Sequence, residues 1–134
     1  MIDWARLERE ARAVQRRAHA PYSRYFVGAA IQTAQGSVFA GCNVENASYG
    51  LAICAERSAI VQMVAAGERE PAAIVVVTPG PVLGTPCGAC RQTLAEFAGD
   101  IPIRLVVADD AAPPRLTSLD ALLPDAFRAG ALKS

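Results

Sequence analysis

Two apolar runs, AAIVVV (residues 72 to 77) and IRLVVA (residues 103 to 108), constrain what this chain can fold into more than any other feature. A strand wetted on one face alternates apolar and polar residues, whereas a nearly unbroken apolar run suits a strand covered on both faces. Between them lie a Pro/Gly-rich loop, TPGPVLGTP, and a helical pattern over residues 88 to 98 that Gly99 is expected to end. Strand, helix and strand in that order predict a parallel crossover with helices packed on a sheet.

The flanking segments extend the pattern. Trp4, Leu7, Ala11, Val14 and Ala18 recur at helical spacing behind Asp3, a good cap, which predicts a helix over about 4 to 18, ended by Pro21-Tyr22-Ser23. Val27 to Thr33 and Ser37 to Cys42 flank Ala34-Gln35-Gly36 and read as a hairpin. After a polar stretch, Asn43 to Gly50, a second helix is expected from about Cys54, with Ala59, Ile60, Met63 and Val64 as its apolar stripe and Gly67 as its stop. The tail holds a short helix near Ser118 to Leu123, then LLPDAF. The order α-β-β-α-β-α-β-α predicts an α/β fold, a three-layer α/β/α sandwich around a mixed β-sheet with an antiparallel hairpin and parallel crossovers. At 134 residues, positions 1–134 are expected to form one domain.

Composition narrows the partners. Lys plus Arg and Asp plus Glu number 13 each, so no excess field attracts a polyanion, and nucleic acid is disfavoured as the main ligand. The first residues, MIDWARLEREARAVQRR, fit an amphipathic helix rather than a signal peptide, and no run is apolar enough for a membrane span. Four cysteines without an export signal point to thiolate chemistry or metal binding in a reducing cytoplasm.

Three of those cysteines carry the chemistry. Cys54-Ala55-Glu56 and Pro86-Cys87-Gly88-Ala89-Cys90 each sit at the predicted start of a helix. Free N–H groups and the positive dipole end stabilise thiolates there. Residues three apart share a helix face, so Cys87 and Cys90 can grip one zinc ion while Cys54 approaches from the other helix. Three protein ligands leave the fourth tetrahedral position open for water, which makes the site catalytic rather than structural. Zinc on three thiolates is formally anionic, and Arg57 is the candidate to hydrogen-bond the sulfurs and offset that charge, unless it is only an exposed helix arginine. Glu56, two residues from a ligand, suits a proton shuttle better than a fourth ligand.

CAE followed downstream by PCGAC resembles the signature of the zinc nucleoside and nucleobase deaminases. Further segments, APYSRYFVGAA (20 to 30), GCNVENASYG (41 to 50), CAERSA (54 to 59), TPCGACRQ (85 to 92) and LLPDAF (122 to 127), are similar to the small homotetrameric cytidine deaminases, in the family's order and over nearly the full length. The resemblance implies a cytidine-deaminase-like fold and zinc-dependent conversion of cytidine and 2′-deoxycytidine to uridine and 2′-deoxyuridine in pyrimidine salvage. It implies one Zn2+ per chain on Cys54, Cys87 and Cys90, with Glu56 as general acid and base. Asn43 and Glu45 match the family's pair for the ribose 3′-hydroxyl, with a plain polar turn as the alternative. Tyr25 stands where the family usually has a phenylalanine against the pyrimidine; it keeps the ring face and adds a hydroxyl. Backbone groups of Ala55 and of Pro86-Cys87 are candidate partners for the base. Phe127 matches an aromatic that reaches into a neighbouring subunit's site, and Tyr49 lies near the same interface, so the expected assembly is a homotetramer with sites at subunit interfaces. Either ring could instead serve simple packing.

Three rival readings fit less well. A structural zinc module would need Cys42 as fourth ligand, but eleven residues separate Cys42 from Cys54 and there is no second close-set dyad. A redox pair at CGAC leaves Glu56 and CAE unexplained. A deaminase of aminonucleoside antibiotics or free bases conflicts with Asn43 and Glu45, which imply a ribose. His19, the only histidine, is expected to cap the end of the first helix rather than bind metal.

Overall fold

A computed structural model describes residues 1–132. The first helix, α1 (Trp4–Gln15), begins where Asp3 accepts a hydrogen bond from the Arg6 amide at 3.0 Å. The buried Gln32 holds the same end, accepting from the Asp3 amide and donating to the Met1 carbonyl. β1 (Gly28–Thr33) and β2 (Val38–Cys42) form the expected antiparallel hairpin. Then follow a 3-10 turn (Tyr49–Leu51), α2 (Ala55–Ala65), β3 (Pro71–Thr78), α3 (Gly88–Phe97), β4 (Pro102–Val107), β5 (Arg115–Ser118) and the short α4 (Leu119–Leu122).

The five strands make one mixed sheet in the order β2-β1-β3-β4-β5. β3 and β4 are parallel, joined through α3, while β1 with β3 and β4 with β5 are antiparallel. Alternation along the central strands divides the core into two. Ala29, Ile31, Ile74, Val76, Ile103 and Leu105 pack with Ala59, Met63 and Leu94 of α2 and α3 on one face. Ala30, Ala73, Val75, Val77 and Val106 pack against Leu7 and Ala11 of α1 on the other. Both faces of β3 are therefore covered, as its apolar run demands. The architecture is the three-layer α/β/α sandwich.

Five expectations need correction. Only one strand pair is parallel, because the hairpin docks its first strand antiparallel to β3. The first helix stops at Gln15 rather than Ala18. His19 does not cap that end: its backbone pairs with the polar stretch, its amide donating to the Asn43 carbonyl at 3.0 Å and its carbonyl accepting from the Glu45 amide at 2.7 Å. These two sheet-like bonds outweigh one more helical turn, and they bring residues 43 to 45 alongside the end of α1. α3 ends at Phe97, with Ala98 already extended, one residue before Gly99 is reached. β5 is an additional edge strand beyond those the pattern predicts.

One close approach sets the height of α2 above the sheet. Gly41 of β2 lies under its first turn, where a Cβ would run into the Ala59 amide and sit 2.8 Å from the Ala55 carbonyl oxygen. Both are backbone atoms, which cannot swing aside. Gly41→Ala must therefore lift α2, with Cys54 and Glu56 at its start, and overpacking of this kind costs about 1–3 kcal/mol. The urea midpoint should fall with an unchanged slope; a wild-type midpoint would show that α2 is not seated this way.

Candidate metal centre

Cys54 and Cys87 hold equivalent places, each the residue immediately before the first turn of a helix, α2 and α3 respectively. Side chains at this position commonly turn back to cap the free amides, but neither cysteine makes such a bond. The residue three positions on projects to the same side of the first turn. On α3 that residue is Cys90, with its Sγ 3.4 Å from that of Cys87. On α2 it is Arg57, whose Nη2 donates to Cys54 Sγ at 3.6 Å. The two helix starts meet, so that Cys54 Sγ and Cys87 Sγ are 3.7 Å apart and all three sulfurs lie within 4.8 Å of one another.

These separations fit a metal. Zinc with thiolates at about 2.3 Å and tetrahedral angles holds neighbouring sulfurs about 3.8 Å apart. Among the described residues no other group of three His, Cys, Asp or Glu ligand atoms converges, and Cys42 stands outside the cluster. A fourth thiol is therefore not in place to close the coordination shell.

Protonation follows from the crowding. The Cys54 thiol is drawn down to about 5, first by a hydrogen bond from Cys90 and then, against burial, by Arg57 and Cys87. Cys90 moves the opposite way, raised by its bond to Cys54 and by burial. Cys90 therefore retains a proton that a cation would have to displace. Glu56 is buried in the first turn of α2, and burial pushes its carboxyl up to about 7, with the nearby Cys54 charge adding to the rise and Arg57 opposing it. Contact with Cys54 also raises the Arg57 guanidinium, which keeps it charged.

A cavity of about 170 Å³ opens beside the sulfurs, lined by Tyr25, Val27, Asn43, Cys54, Ala55, Glu56, Val76, Thr78, Thr85 and Cys87. The fold therefore brings Tyr25, Asn43, Ala55 and Glu56 together with two of the thiols. The Tyr25 hydroxyl lies against Gly84, where an added Cβ would stand 2.5 Å from it. Asn43 is already half engaged, its Oδ1 accepting from the Val27 amide at 2.9 Å and its Nδ2 donating to the Tyr25 carbonyl at 2.7 Å. One amide hydrogen and one lone pair remain free to meet a hydroxyl.

Glu45 and Tyr49 fall elsewhere. They line a neighbouring groove of about 310 Å³ with Tyr22, Ser23, Asn46 and Ala52. Glu45 accepts from the amides of Tyr22 and Ser23 and from the Ser23 hydroxyl, which holds its carboxyl below the ordinary range; Ser23 Oγ in turn accepts from the Tyr25 amide at 3.0 Å. Asn43 and Glu45 together thus brace the segment that presents Tyr25. Phe127 is exposed on the C-terminal segment and lines neither cavity.

Sequence reasoning missed Val27, Val76, Thr78 and Thr85 in the wall. Val27 and Val76 read only as strand residues. Thr78 ends β3, fully inside, with its Oγ1 accepting from the Gly84 amide at 3.2 Å. A polar residue closing an apolar run was the available signal.

A family model for the cytidine and deoxycytidylate deaminase zinc-binding region matches residues 2–107. The chain belongs to this deaminase family. A cytidine deaminase of Sporosarcina psychrophila is 40% identical over 129 residues, covering 94% of this chain and 92% of the relative. One from Halalkalibacterium halodurans is 49% identical over 98 residues, 72% of this chain and 73% of the relative. The crystal structure of a cytidine deaminase from Burkholderia pseudomallei superposes with a TM-score of 0.87 at 46% identity, covering 94% of this chain and all of that one. In a deaminase of this zinc-binding family, the Cys54, Cys87 and Cys90 cluster fits one zinc ion per chain.

Because the thiols must lose protons to bind metal, zinc affinity should weaken as pH falls, and binding should release protons. Calorimetric titration of the metal-stripped deaminase in two buffers of different ionisation enthalpy measures this. A pH-independent affinity without proton release would contradict a three-thiolate centre.

Proposed function

We propose that this protein hydrolyses the exocyclic amine of cytidine and 2′-deoxycytidine, releasing ammonia and leaving uridine or 2′-deoxyuridine, as a step of pyrimidine salvage. The observation that carries this reading is the buried carboxylate of Glu56 facing the same small cavity as Cys54 and Cys87. A proton carrier and a metal-binding trio on one cavity wall are what hydrolysis of a ring amine needs.

Cys54, Cys87 and Cys90 would hold zinc, which when bound supplies the Lewis acidity that makes water nucleophilic near neutral pH. Glu56 takes a proton from the attacking water and delivers it to N3 as C4 is attacked. The remaining hydroxyl proton then passes through Glu56 to the amine, which departs as ammonia and leaves the C4 carbonyl. A carboxyl held near 7 by burial is matched to accepting and returning a proton at neutral pH. Arg57 offsets the negative charge of the three sulfurs. The Tyr25 ring packs on the pyrimidine, backbone groups at Ala55 contact the base, and Asn43 offers its free amide valences to the sugar. Glu45 completes the sugar contacts from the adjoining groove.

The reading extends to the assembly. Tyr22 and Tyr49 line the groove and Tyr25 the cavity, all three exposed, and Phe127 is exposed on the C-terminal segment. Apolar side chains clustered at a site mouth are commonly covered by a partner. A homotetramer of single-domain chains, with Tyr49 and Phe127 at subunit interfaces, would bury them. Three thiols kept for zinc suit a reducing compartment, the cytoplasm, and among the described residues no helix is long and apolar enough to cross a membrane.

Incubation with cytidine tests the reading directly. Wild type should yield uridine and ammonia, while Glu56→Gln should keep its zinc and lose at least about 10²-fold in kcat. A zinc-loaded wild type that leaves both nucleosides untouched would sink the substrate assignment, and a fully active Glu56→Gln would sink the proton carrier.

A further inference from the structure

Arg91 sits one turn into α3, beyond the thiols and outside the cavity wall, half-buried, with its side chain folded back over the start of its own helix. Three guanidinium nitrogens each have a different acceptor. Nε donates to the Pro86 carbonyl at 2.7 Å, Nη2 to Thr85 Oγ1 at 3.2 Å, and Nη1 to the Leu122 carbonyl at 2.6 Å. Two of these acceptors immediately precede Cys87. The Pro86 carbonyl belongs to the planar peptide unit whose nitrogen is that of Cys87, so fixing the oxygen fixes the direction in which Cys87 leaves the loop. Pro86 is buried, and its carbonyl would otherwise stand at the exposed start of a helix whose own bonds begin one residue later, with the Arg91 amide on Cys87.

We propose that Arg91 is a positioning residue for the metal centre, locking the Thr85-Pro86 segment so that Cys87 Sγ is aimed at Cys54 and Cys90 before any ion arrives. The inference rests on the proposed zinc-dependent function. It assigns a task to a cation that neither holds the metal nor lines the cavity. A planar fork suits this better than an ammonium does, because its donors point in fixed, separate directions while a lysine is a single flexible point charge.

The competing role is that of a staple for the C-terminal segment, since Arg91 also grips Leu122. Two other side chains already tie that segment to α3 without touching residues 85 to 87. Gln92 Nε2 donates to the Phe127 carbonyl at 2.8 Å, and Arg128 Nη1 donates to the carbonyls of Ala95 and Ala98 at 2.8 and 2.5 Å. Loss of Gln92 therefore reports on stapling alone.

The test uses the full chain in four forms: wild type, Arg91→Ala, Arg91→Lys and Gln92→Ala. Three quantities are read: zinc Kd by chelator competition, the thiolate-to-metal absorption of the cobalt-substituted protein, and kcat and KM for cytidine. Arg91→Ala should weaken zinc at least about tenfold, as expected for a lost partner behind a ligand. It should also alter the cobalt band and lower kcat more than it raises KM. Arg91→Lys should recover part of the affinity, and Gln92→Ala should match wild type in Kd and cobalt spectrum. A folded Arg91→Ala with wild-type Kd and spectrum would overturn the proposal, as would Gln92→Ala reproducing its losses. Should Arg91→Ala not fold, Arg91→Lys carries the comparison, and a wild-type Kd there is the overturning result. If wild type itself takes up no zinc or leaves cytidine intact, the proposed function fails and takes this inference with it; wild-type activity with an unaffected Arg91→Ala sinks the inference alone.

Discussion

Thiolates repel one another, yet Cys54, Cys87 and Cys90 are held with their sulfurs within 4.8 Å. Much of the molecule can be understood as the means of holding them there. Two helix starts are set against each other, and each contributes a cysteine at the position just before its first turn, where partial positive charge from unpaired amides is greatest. The third thiol and the guanidinium beside Cys54 then follow from one geometric rule. Three residues into α3 comes Cys90, and three residues into α2 comes Arg57, each beside the cysteine that precedes its helix. One structural position thus supplies a second thiol on one helix and a guanidinium on the other.

The sheet is what makes the two starts meet. The parallel β3 and β4 require a crossover, and α3 is that crossover, entered from the loop that leaves β3 at Thr78. The hairpin at the other side of β3 carries α2 down onto β2, where Gly41 permits backbone to lie on backbone. Packing and chemistry are therefore linked in both directions. Seating α2 deeply buries Glu56, and that burial raises its carboxyl towards neutrality. A shallower seat would leave an ordinary, solvated carboxylate with no reason to hold a proton at pH 7.

Much of this was legible in the residues. The apolar runs of β3 and β4, the hairpin around Ala34-Gln35-Gly36 and the stripe of α2 each carry a period of their own, and the structure places them within a residue or two of expectation. The pairings of Cys87 with Cys90 and of Cys54 with Arg57 were legible because each is local to a helix turn. What was not legible depended on partners distant in sequence. β5 follows Pro113-Pro114 as a short, largely exposed edge, and only its pairing with β4 makes it a strand. The end of α1 is decided by bonds from His19 to residues 43 and 45. Asn43 and Glu45, two apart, would share a face of a regular strand, yet they line different hollows, because Asn43 is bonded to Val27 and Tyr25 while Glu45 is drawn to the amides of Tyr22 and Ser23. Arg91 gave no signal beyond a charged residue in a helix, because its three acceptors come from a loop and from a segment thirty-one residues on.

The proposed chemistry depends on an open centre of three sulfurs, and zinc K-edge X-ray absorption of the metal-loaded protein measures that coordination. Three sulfur scatterers at about 2.3 Å with one lighter atom completing the shell is the predicted result. Four sulfurs would mean that Cys42 moves in to close the site, and fewer than three would mean that the trio is not the ligand set; either would contradict the account.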